Sequence, residues 1–581
     1  MSLEVALGQR IDLEKYGSNK RLLFALQLAF GIEDIDTVAA TALTDHGNDK
    51  ACDLLYVDRD RGRVVLAQGY EAQGANREKE APASKAASLH QAVNWLFSKE
   101  SPTGVPALLS SAWRELHEAL EDEAIGHVEI WYVHNCFSSK AAETEIQKAR
   151  DAAYERLQSG YPASEVTVSG SQIGSEALSR RYQNSQTPIL VSETFEVAIP
   201  GFFEESGEKW TALCTSVPTI WLHERFEQHG ADLFSPNVRG YLGSVRSKSN
   251  INNGIRETVR SEPTNLWAYN NGITALVHSF SVENDMLKIT GLGIVNGAQT
   301  TGAVGSLPDA EVSHESHVLA RFIKCDDPET VKSIVRYNNR QNPTQASDFR
   351  SNDGTQTRLV QEFQRLGVVG YSGGRRGGAE DVIRRPGENH LPAPVAAQAL
   401  AAFHGQSHIA YHEKGQIWEQ DAMYTSVFPD RITAHHIVFV ASLLRAVEEK
   451  KTLIGQIDAT SRTQDQAALH EWLGLRGSIM LAVEAIGKTM ETILGVAVSD
   501  PYTLQFKKNL PMPSATEAWA PIVESLLVFA PDHLSAPLVA PSALRNREAV
   551  SSAIANFRAL AVSARKFSAS TYSNFANMVA R

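Results

Sequence analysis

Uncharged hydrogen-bonding side chains recur between residues 265 and 349, inside segments whose apolar pattern is typical of buried strands. The segments read NLWAYNNGIT, IVNGAQTT and YNNRQNPTQASDF. Amide and hydroxyl side chains are costly to bury without partners, so they must pair with each other, with the backbone or with a ligand. We therefore predict a polar binding site built into a sheet. Its candidate residues in the first two segments are Asn270, Asn271, Asn296, Gln299 and Thr300.

The segment IVNGAQTT suggests what such a site would bind. Gly297 permits close backbone approach. Gln299, Thr300 and Thr301 would open a helix whose free N–H groups and positive dipole end suit an anion. The alternative is that a threonine caps this helix and that Asn296 is an ordinary turn residue. The presence of NNGIT and NNRQN in the same region favours a ligand or nucleic-acid site.

Basic and amide residues lie within the third segment and after it. A predicted helix should end before Pro343, because the residue preceding proline avoids the helical region. Beyond this end, Arg340 and Gln341 are candidates for contacting a phosphate or a base edge, since arginine forms bidentate pairs and glutamine can read adenine. Arg375 and Arg376 stand in a glycine-rich run that would be mobile enough to close over a polyanion. An ordinary solvated loop is the alternative.

Taken in order along the chain, five segments resemble the motifs of the AIPR (abortive infection phage resistance) family of bacterial proteins. They are FSPNVRGYLG, NLWAYNNGIT, IVNGAQTT, YNNRQNPTQASDF and YSGGRRGG. The resemblance covers roughly residues 191–540. It implies a role in defence against phage, but it does not specify a biochemical mechanism. Two hypotheses stay open. The first is a protein that binds nucleic acid or nucleotide through its central polar site, with or without metal-dependent nuclease activity. The second is a non-catalytic sensor or scaffold that recognises a phage or host component and acts through partner proteins.

Nearer the N-terminus, TDHGNDKACDLLYVDRDRGRVVLAQGY resembles the core of restriction-endonuclease-like (Mrr-like, PD-(D/E)XK) domains. The resemblance implies that Asp53 is the first-strand acid and Gln68 the second-strand ligand, with Asp45 and Asp53 holding Mg²⁺. Tyr70 stands where such domains have lysine. A neutral phenol cannot supply the missing cationic charge, so we expect a nuclease-like fold with weak or absent phosphodiester cleavage.

These residues must be positioned by a mixture of helices and short strands. DLLYVD and RVVLAQGY predict a hairpin that turns at RDRG, and a second hairpin is predicted to turn at ENDM. After about residue 328 the apolar pattern is mostly helical. We predict a mixed α+β (α/β) chain in three domains. They are a restriction-endonuclease-like domain over 1–190, a central α/β domain over 191–370 and a mostly helical domain over 371–581.

The bulk composition narrows the class of protein. The chain has 581 residues, 43% of them hydrophobic and 21% charged, which is typical of a multidomain globular protein. A formal net charge of −12 argues against a generally basic nucleic-acid coat but allows a local basic groove. Four cysteines without CxxC spacing suit a reducing cytoplasm. We expect no membrane span, and symmetry base rates favour a homo-oligomer, with a homodimer as the simplest case.

Overall fold

The computed structural model describes most of the chain. The described residues are 3–32, 34–44, 50–102, 105–162, 166–186, 189, 191–234, 246–339, 350, 353–371, 373, 389–539 and 543–581. Within them, long strands occur only up to residue 325 and helices dominate the rest, so the predicted mixed α+β class with a helical C-terminal region is confirmed.

The N-terminal sheet has four strands in the order β1-β2-β3-β4. β1 and β2 are antiparallel, as the RDRG turn predicts, whereas β2, β3 and β4 run parallel and are joined by helical crossovers. The strands are β1 (Leu54–Asp58), β2 (Arg63–Tyr70), β3 (His127–His134) and β4 (Thr167–Ile173). The helices of this region are α1 (Leu3–Gly8), α2 (Ile11–Glu14), α3 (Lys20–Phe30), α4 (Ile35–Ala42), α5 (Ala83–Leu96), α6 (Ala107–Glu121), α7 (Lys140–Gly160) and α8 (Ser175–Gln186).

Alternate residues of β2 face opposite layers of helices. Val64 and Leu66 pack with α5, α6 and α7, while Val65 and Ala67 pack with α3 and α8. This is the period-2 alternation of a strand. Because both faces are covered, the strand is apolar at every position from Val64 to Ala67 rather than at every second one.

The central sheet has the strand order β5-β10-β8-β11-β7-β6, and β9 pairs with β10. β8 and β11 are parallel, and the other neighbours are antiparallel. The strands are β5 (Val191–Ala198), β6 (Phe202–Ser206), β7 (Trp210–Pro218), β8 (Ile273–Val277), β9 (Ser279–Glu283), β10 (Met286–Asn296) and β11 (His317–Cys325). β9 and β10 form the hairpin predicted at ENDM, where Asn284 and Asp285 have φ values of 50° and 59°. Positive φ at both central residues is the requirement of a type I′ turn.

Helices cover the two faces of the central sheet unequally. They are α9 (Thr219–His229), α10 (Arg246–Ser261), α11 (Leu266–Tyr269), α12 (Ala298–Gly305) and α13 (Pro328–Asn339). Ala275 and Phe322 belong to a large core shared with α9, α10 and α12. Leu276 and Ile323, on the other face, form a smaller core under Val335 of α13.

The C-terminal helices enclose one extensive core around the long helix Ala434–Gln456. The other helices are Gly354–Leu366, Ala393–Phe403, Ser407–His412, Gln416–Glu419, Asp421–Val427, Gln464–Gly474, Ser478–Gly487, Met490–Leu494, Met512–Leu527, Ala530–His533, Ala536–Val539, Arg547–Phe567 and Ala569–Met578. A short pair, β12 (Gln505–Phe506) with β13 (Val579–Ala580), is the strand content of this region in the described residues. A search of the described helices for a membrane span found none with both the necessary length and the necessary hydropathy.

The N-terminal region packs against the C-terminal helices, although the central sheet separates them in sequence. Arg476, 7% exposed, donates from Nη2 to the Leu55 carbonyl at 2.9 Å. Tyr411 donates its hydroxyl to Glu115 at 2.7 Å. Such buried polar contacts hold the two regions in one arrangement, because breaking them would leave unpaired buried groups. The domain boundaries near residues 190 and 370 stay predictions.

Candidate functional site

Strand pairing places five residues from five strands of the central sheet in one line. In order across the sheet they are Phe203 on β6, Cys214 on β7, Arg321 on β11, Thr274 on β8 and Asn296 on β10. Directly opposed residues of neighbouring strands project from the same face, which applies to Phe203, Cys214, Arg321 and Thr274. Asn296 pairs with Thr274 after a register shift in β10. We call these five residues the transverse row, which at ~4.8 Å per strand spans ~19 Å.

The transverse row lies on the face that α13 covers, immediately beyond the apolar residues of that face. Leu276 and Ile323 are two residues farther along the same strands, and they are buried with Val335. Asn338 stands three residues after Val335 and so lies on the same side of α13. The face therefore changes from apolar core to polar surface at the transverse row.

Arg321 joins three elements at the transverse row. Its Nη2 group donates to Thr274 Oγ1 at 3.2 Å and to Asn338 Oδ1 at 2.8 Å. The Asn338 amide is oriented in turn, since its Nδ2 donates to the Ile334 carbonyl at 2.9 Å. The Arg321 side chain is exposed, and its Nε and Nη1 groups bond to none of the described residues. Because both Nη2 protons are used in this way, an oxyanion would be met by single N–H···O bonds from Nη1 or Nε, neither of which bonds to another described residue.

Arg321 and Thr274 are not among the site residues predicted from the sequence. A signal was present in the strand HVLARFIKC, where Ala320 and Phe322 are buried on the side of the large core and Arg321 must face the other way. The neighbours of Arg321 were not predictable. β8 and β11 are about 45 residues apart in sequence, and no local pattern specifies their register.

Two glycines allow the predicted segments NNGIT and VNGAQTT to touch. Gly272 and Gly297 have φ values of +73° and +94°. A Cβ atom on Gly297 would lie 2.6 Å from the carbonyl oxygen of Gly272, and one on Gly272 would lie 2.0 Å from that of Leu319. Both positions therefore require glycine for conformation and for space. The structure thus brings together two of the three polar segments that the sequence singled out.

A side-chain hydrogen bond fixes this contact. Asn270 Oδ1 accepts the Gly272 amide proton at 2.7 Å and the Thr300 hydroxyl proton at 3.0 Å. Thr300 is 5% exposed and lies in the first turn of α12. The bond ties the loop before β8 to the helix after β10, so the start of α12 is held at the end of the sheet that carries the transverse row.

Other predicted polar residues are satisfied by neighbouring backbone. Asn296 Oδ1 accepts the Gly297 amide proton at 2.8 Å, and Thr301 donates to the Gly297 carbonyl at 3.0 Å. Gly297, rather than a threonine, is the N-cap residue of α12. Gln299 is half-buried and Asn271 is exposed, and the ligand-binding roles of these residues stay predictions.

Several predicted site residues lie outside the described residues. They are Arg340, Gln341, Arg375, Arg376 and Asp45. α13 ends at Asn339, one residue after the amide that accepts from Arg321 and one residue before Arg340. The roles of the five residues stay predictions.

Cys214 occupies the transverse row between Phe203 and Arg321. The thiol is half-buried, and burial raises its pKa, while the nearby Arg321 guanidinium acts in the opposite direction. Because burial is the larger effect, the thiol is neutral at pH 7. The row thus presents a ring, a small neutral side chain and a cation in succession.

The candidate nuclease residues Asp53 and Gln68 make contacts on opposite faces of the N-terminal sheet. Asp53 Oδ2 accepts the Gly69 amide proton at 2.6 Å, and a Cβ on Gly69 would point at it and at Leu22 of α3. Gln68 Oε1 accepts the Ser88 hydroxyl proton of α5 at 2.5 Å. Since α3 and α5 cover opposite faces, the two side chains do not meet at one point.

The predicted Mg²⁺ site pairs Asp53 with Asp45, which lies outside the described residues. Among the described residues, no group of three or more His, Cys, Asp or Glu side chains is arranged to hold a metal ion. Arg21 of α3 is 4% exposed and donates from Nε at 2.7 Å to Glu71, the residue that follows Tyr70 in the sequence. Because Asp45 is not among the described residues, Mg²⁺ binding by Asp45 and Asp53 stays a prediction.

Comparison with known proteins gives one match. The family model described as AIPR protein matches residues 234–513, which include Arg321, Asn270 and Asn338 but neither Phe203 nor the N-terminal sheet. Searches of curated proteins and of solved structures gave no match.

Proposed function

The chain belongs to the AIPR family, and we propose that it acts by binding nucleic acid or nucleotide at the transverse row. Membership of this family suggests a part in abortive-infection defence against phage. The family does not specify a ligand. The ligand class is inferred from the chemistry of the side chains at the end of the central sheet.

The observation that carries the proposal is the fixed orientation of Arg321. Thr274 and Asn338 accept from its Nη2 group at 3.2 and 2.8 Å, and its Nε and Nη1 groups bond to none of the described residues. An arginine ordered before the ligand arrives loses less side-chain entropy on binding than a free one. Phosphate is the anion that arginine contacts in nucleic acids and nucleotides, and a charge-assisted hydrogen bond from Nη1 or Nε suffices for such a contact.

The local charge favours an anion although the whole chain is acidic. Residues 266–282 and 289–308, which supply Asn270, Thr274, Asn296 and Thr300, contain no Asp or Glu. Arg321 is the charged member of the transverse row. A phosphate that approaches the part of the row formed by β11, β8 and β10 therefore meets a guanidinium, an amide and a hydroxyl, while the carboxylate of Glu205 lies at the β6 edge.

Replacing Arg321 tests the proposal. We expect Arg321→Ala to weaken the binding of a fluorescein-labelled oligonucleotide about tenfold or more in fluorescence polarisation. The matched control is Lys288→Ala, which removes one positive charge from an exposed position at the start of β10. The affinity of the parent protein should fall steeply with salt, because phosphate contacts release counterions. Equal affinities for the two variants would overturn the proposal.

We propose that binding, rather than cleavage, is the primary activity. Asp53 and Gln68 accept hydrogen bonds from Gly69 and from Ser88, on different faces of the N-terminal sheet, and this separation supports binding without cleavage. We expect no divalent-metal-dependent cleavage of plasmid or RNA by the purified protein. Mg²⁺-dependent cleavage that disappears in Asp53→Ala would instead establish a nuclease with the predicted residues.

A further inference from the structure

We infer that the ligand of the transverse row is a single-stranded nucleic acid, with an unpaired base stacked on Phe203 and a backbone phosphate on Arg321. This inference rests on the proposed function of Arg321. It names the substrate class and adds Phe203, which the family match does not include.

Phe203 is an exposed aromatic residue at the edge of the central sheet. β6 is an edge strand, and all five of its residues are exposed. The side chain of Phe203 is 62% exposed, so its ring face is available to a ligand. Edge strands usually avoid large exposed apolar side chains because these promote association, so an aromatic residue here requires a reason.

The geometry of the sheet places the ring and the guanidinium at a suitable separation. Phe203 and Arg321 are two strands apart, ~10 Å at ordinary strand spacing, and they project from the same face. The residue between them is Cys214, whose side chain is small. A ligand that lies across the strands can therefore reach both groups without passing over a bulky side chain.

The flanks of the transverse row give a bound strand a preferred path. On one side, Glu205 pairs with Ala212 and carries a negative charge on the same face as Phe203. On the other side, Ser216 pairs with Leu319, and this flank is uncharged. Repulsion from Glu205 would direct the phosphates toward Ser216 and leave the apolar ring for the base.

The combination of groups selects single strands over duplexes. The base faces of a duplex are stacked against each other and cannot pack on a ring that projects from a sheet. Unpaired bases stack on exposed aromatic residues, and sheet surfaces with such residues are a common platform for single strands.

The test compares neighbouring phenylalanines on β6. Phe203→Ala should lower the affinity for a labelled 20-nucleotide single strand about tenfold, the loss of one base–aromatic stack. Phe202→Ala is the matched control, since Phe202 is 47% exposed but pairs with Thr215 and faces the other side of the sheet. Phe203→Trp should retain affinity, whereas Phe203→Leu, which keeps apolar bulk without a ring, should lose it. DNA and RNA strands and a hairpin duplex are measured in parallel.

The outcomes separate this inference from the proposed function. Tight binding of single-stranded DNA or RNA with at least tenfold weaker duplex binding, lost in both Arg321→Ala and Phe203→Ala, supports the inference. Loss in Arg321→Ala with parent-like affinity in Phe203→Ala overturns the inference and leaves the proposed function standing. Equal affinity for duplex and single strand also overturns it. Parent-like affinity in Arg321→Ala overturns both, as does the absence of binding to every probe.

Discussion

At the scale of single residues, the polar side chains divide into two kinds. Asn296 and Thr301 bond to the adjacent backbone, as turn and helix-start residues do. Asn270 with Thr300, and Arg321 with Asn338, bond across segments that are distant in sequence. The bonds between distant segments matter for binding, because they fix the position of side chains that the local backbone alone would not order.

Gly297 is the residue whose replacement should disturb this arrangement most directly. We expect Gly297→Ala to lower the free energy of unfolding by about 1–3 kcal/mol, because the positive φ is strained for alanine and a Cβ would meet the Gly272 carbonyl. The control is Gly254→Ala in α10, where a Cβ would meet nothing within 4 Å. That variant should be up to about 1 kcal/mol more stable, since alanine favours the helix. Equal free energies of urea unfolding for the two variants would contradict the close approach of Gly297 to the Gly272 carbonyl.

At the scale of secondary-structure elements, local patterns predicted much of the fold. The RDRG and ENDM hairpins were predicted because turn residues and strand alternation are encoded within a few neighbouring positions. The polar segments were recognised because amides in apolar strands are unusual. Arg321 and Phe203 were missed, because their importance comes from pairing between strands that are remote in sequence. Strand register is a tertiary property that local composition does not specify.

The transverse row makes a prediction about Cys214 chemistry. In a Cys325→Ser background, where Cys52 and Cys136 remain buried, iodoacetamide should modify Cys214 slowly at pH 7. It should react faster toward pH 9, because burial raises the thiol pKa and the thiolate is the reactive form. A bound single-stranded oligonucleotide should slow the reaction several-fold. An unchanged rate with saturating oligonucleotide would show that the ligand does not cover the transverse row.

At the scale of the whole molecule, the N-terminal sheet and the C-terminal helices share buried polar contacts while the central sheet presents its polar end. Arg445 pairs with Asp34 across this boundary, and Arg476 reaches the Leu55 carbonyl. Histidines are buried in both regions. Burial lowers the pKa of His117, His134 and His436 to about 4 and that of His412 to about 3.

These histidines predict that the protein loses stability in mild acid. The folded state keeps them neutral, so between pH 6.5 and 4 the unfolded chain binds more protons than the folded one. The free energy of unfolding therefore has its full value above pH 6.5. As the pH decreases from 6.5 to 4, it falls by about 1.4 kcal/mol per pH unit for each such histidine. His436→Gln should reduce this slope in urea unfolding measured from pH 7 to pH 5. A slope identical to that of the parent protein would contradict a neutral buried His436.

The measurement that tests the central claim most directly is photochemical cross-linking of a 4-thiouridine-substituted single strand, with the attached peptides identified by mass spectrometry. We predict attachment to peptides that carry Phe203 and to those around Asn270 and Arg321, with loss of these adducts in Arg321→Ala. Adducts confined to the N-terminal sheet or to the C-terminal helices would contradict a ligand site at the transverse row.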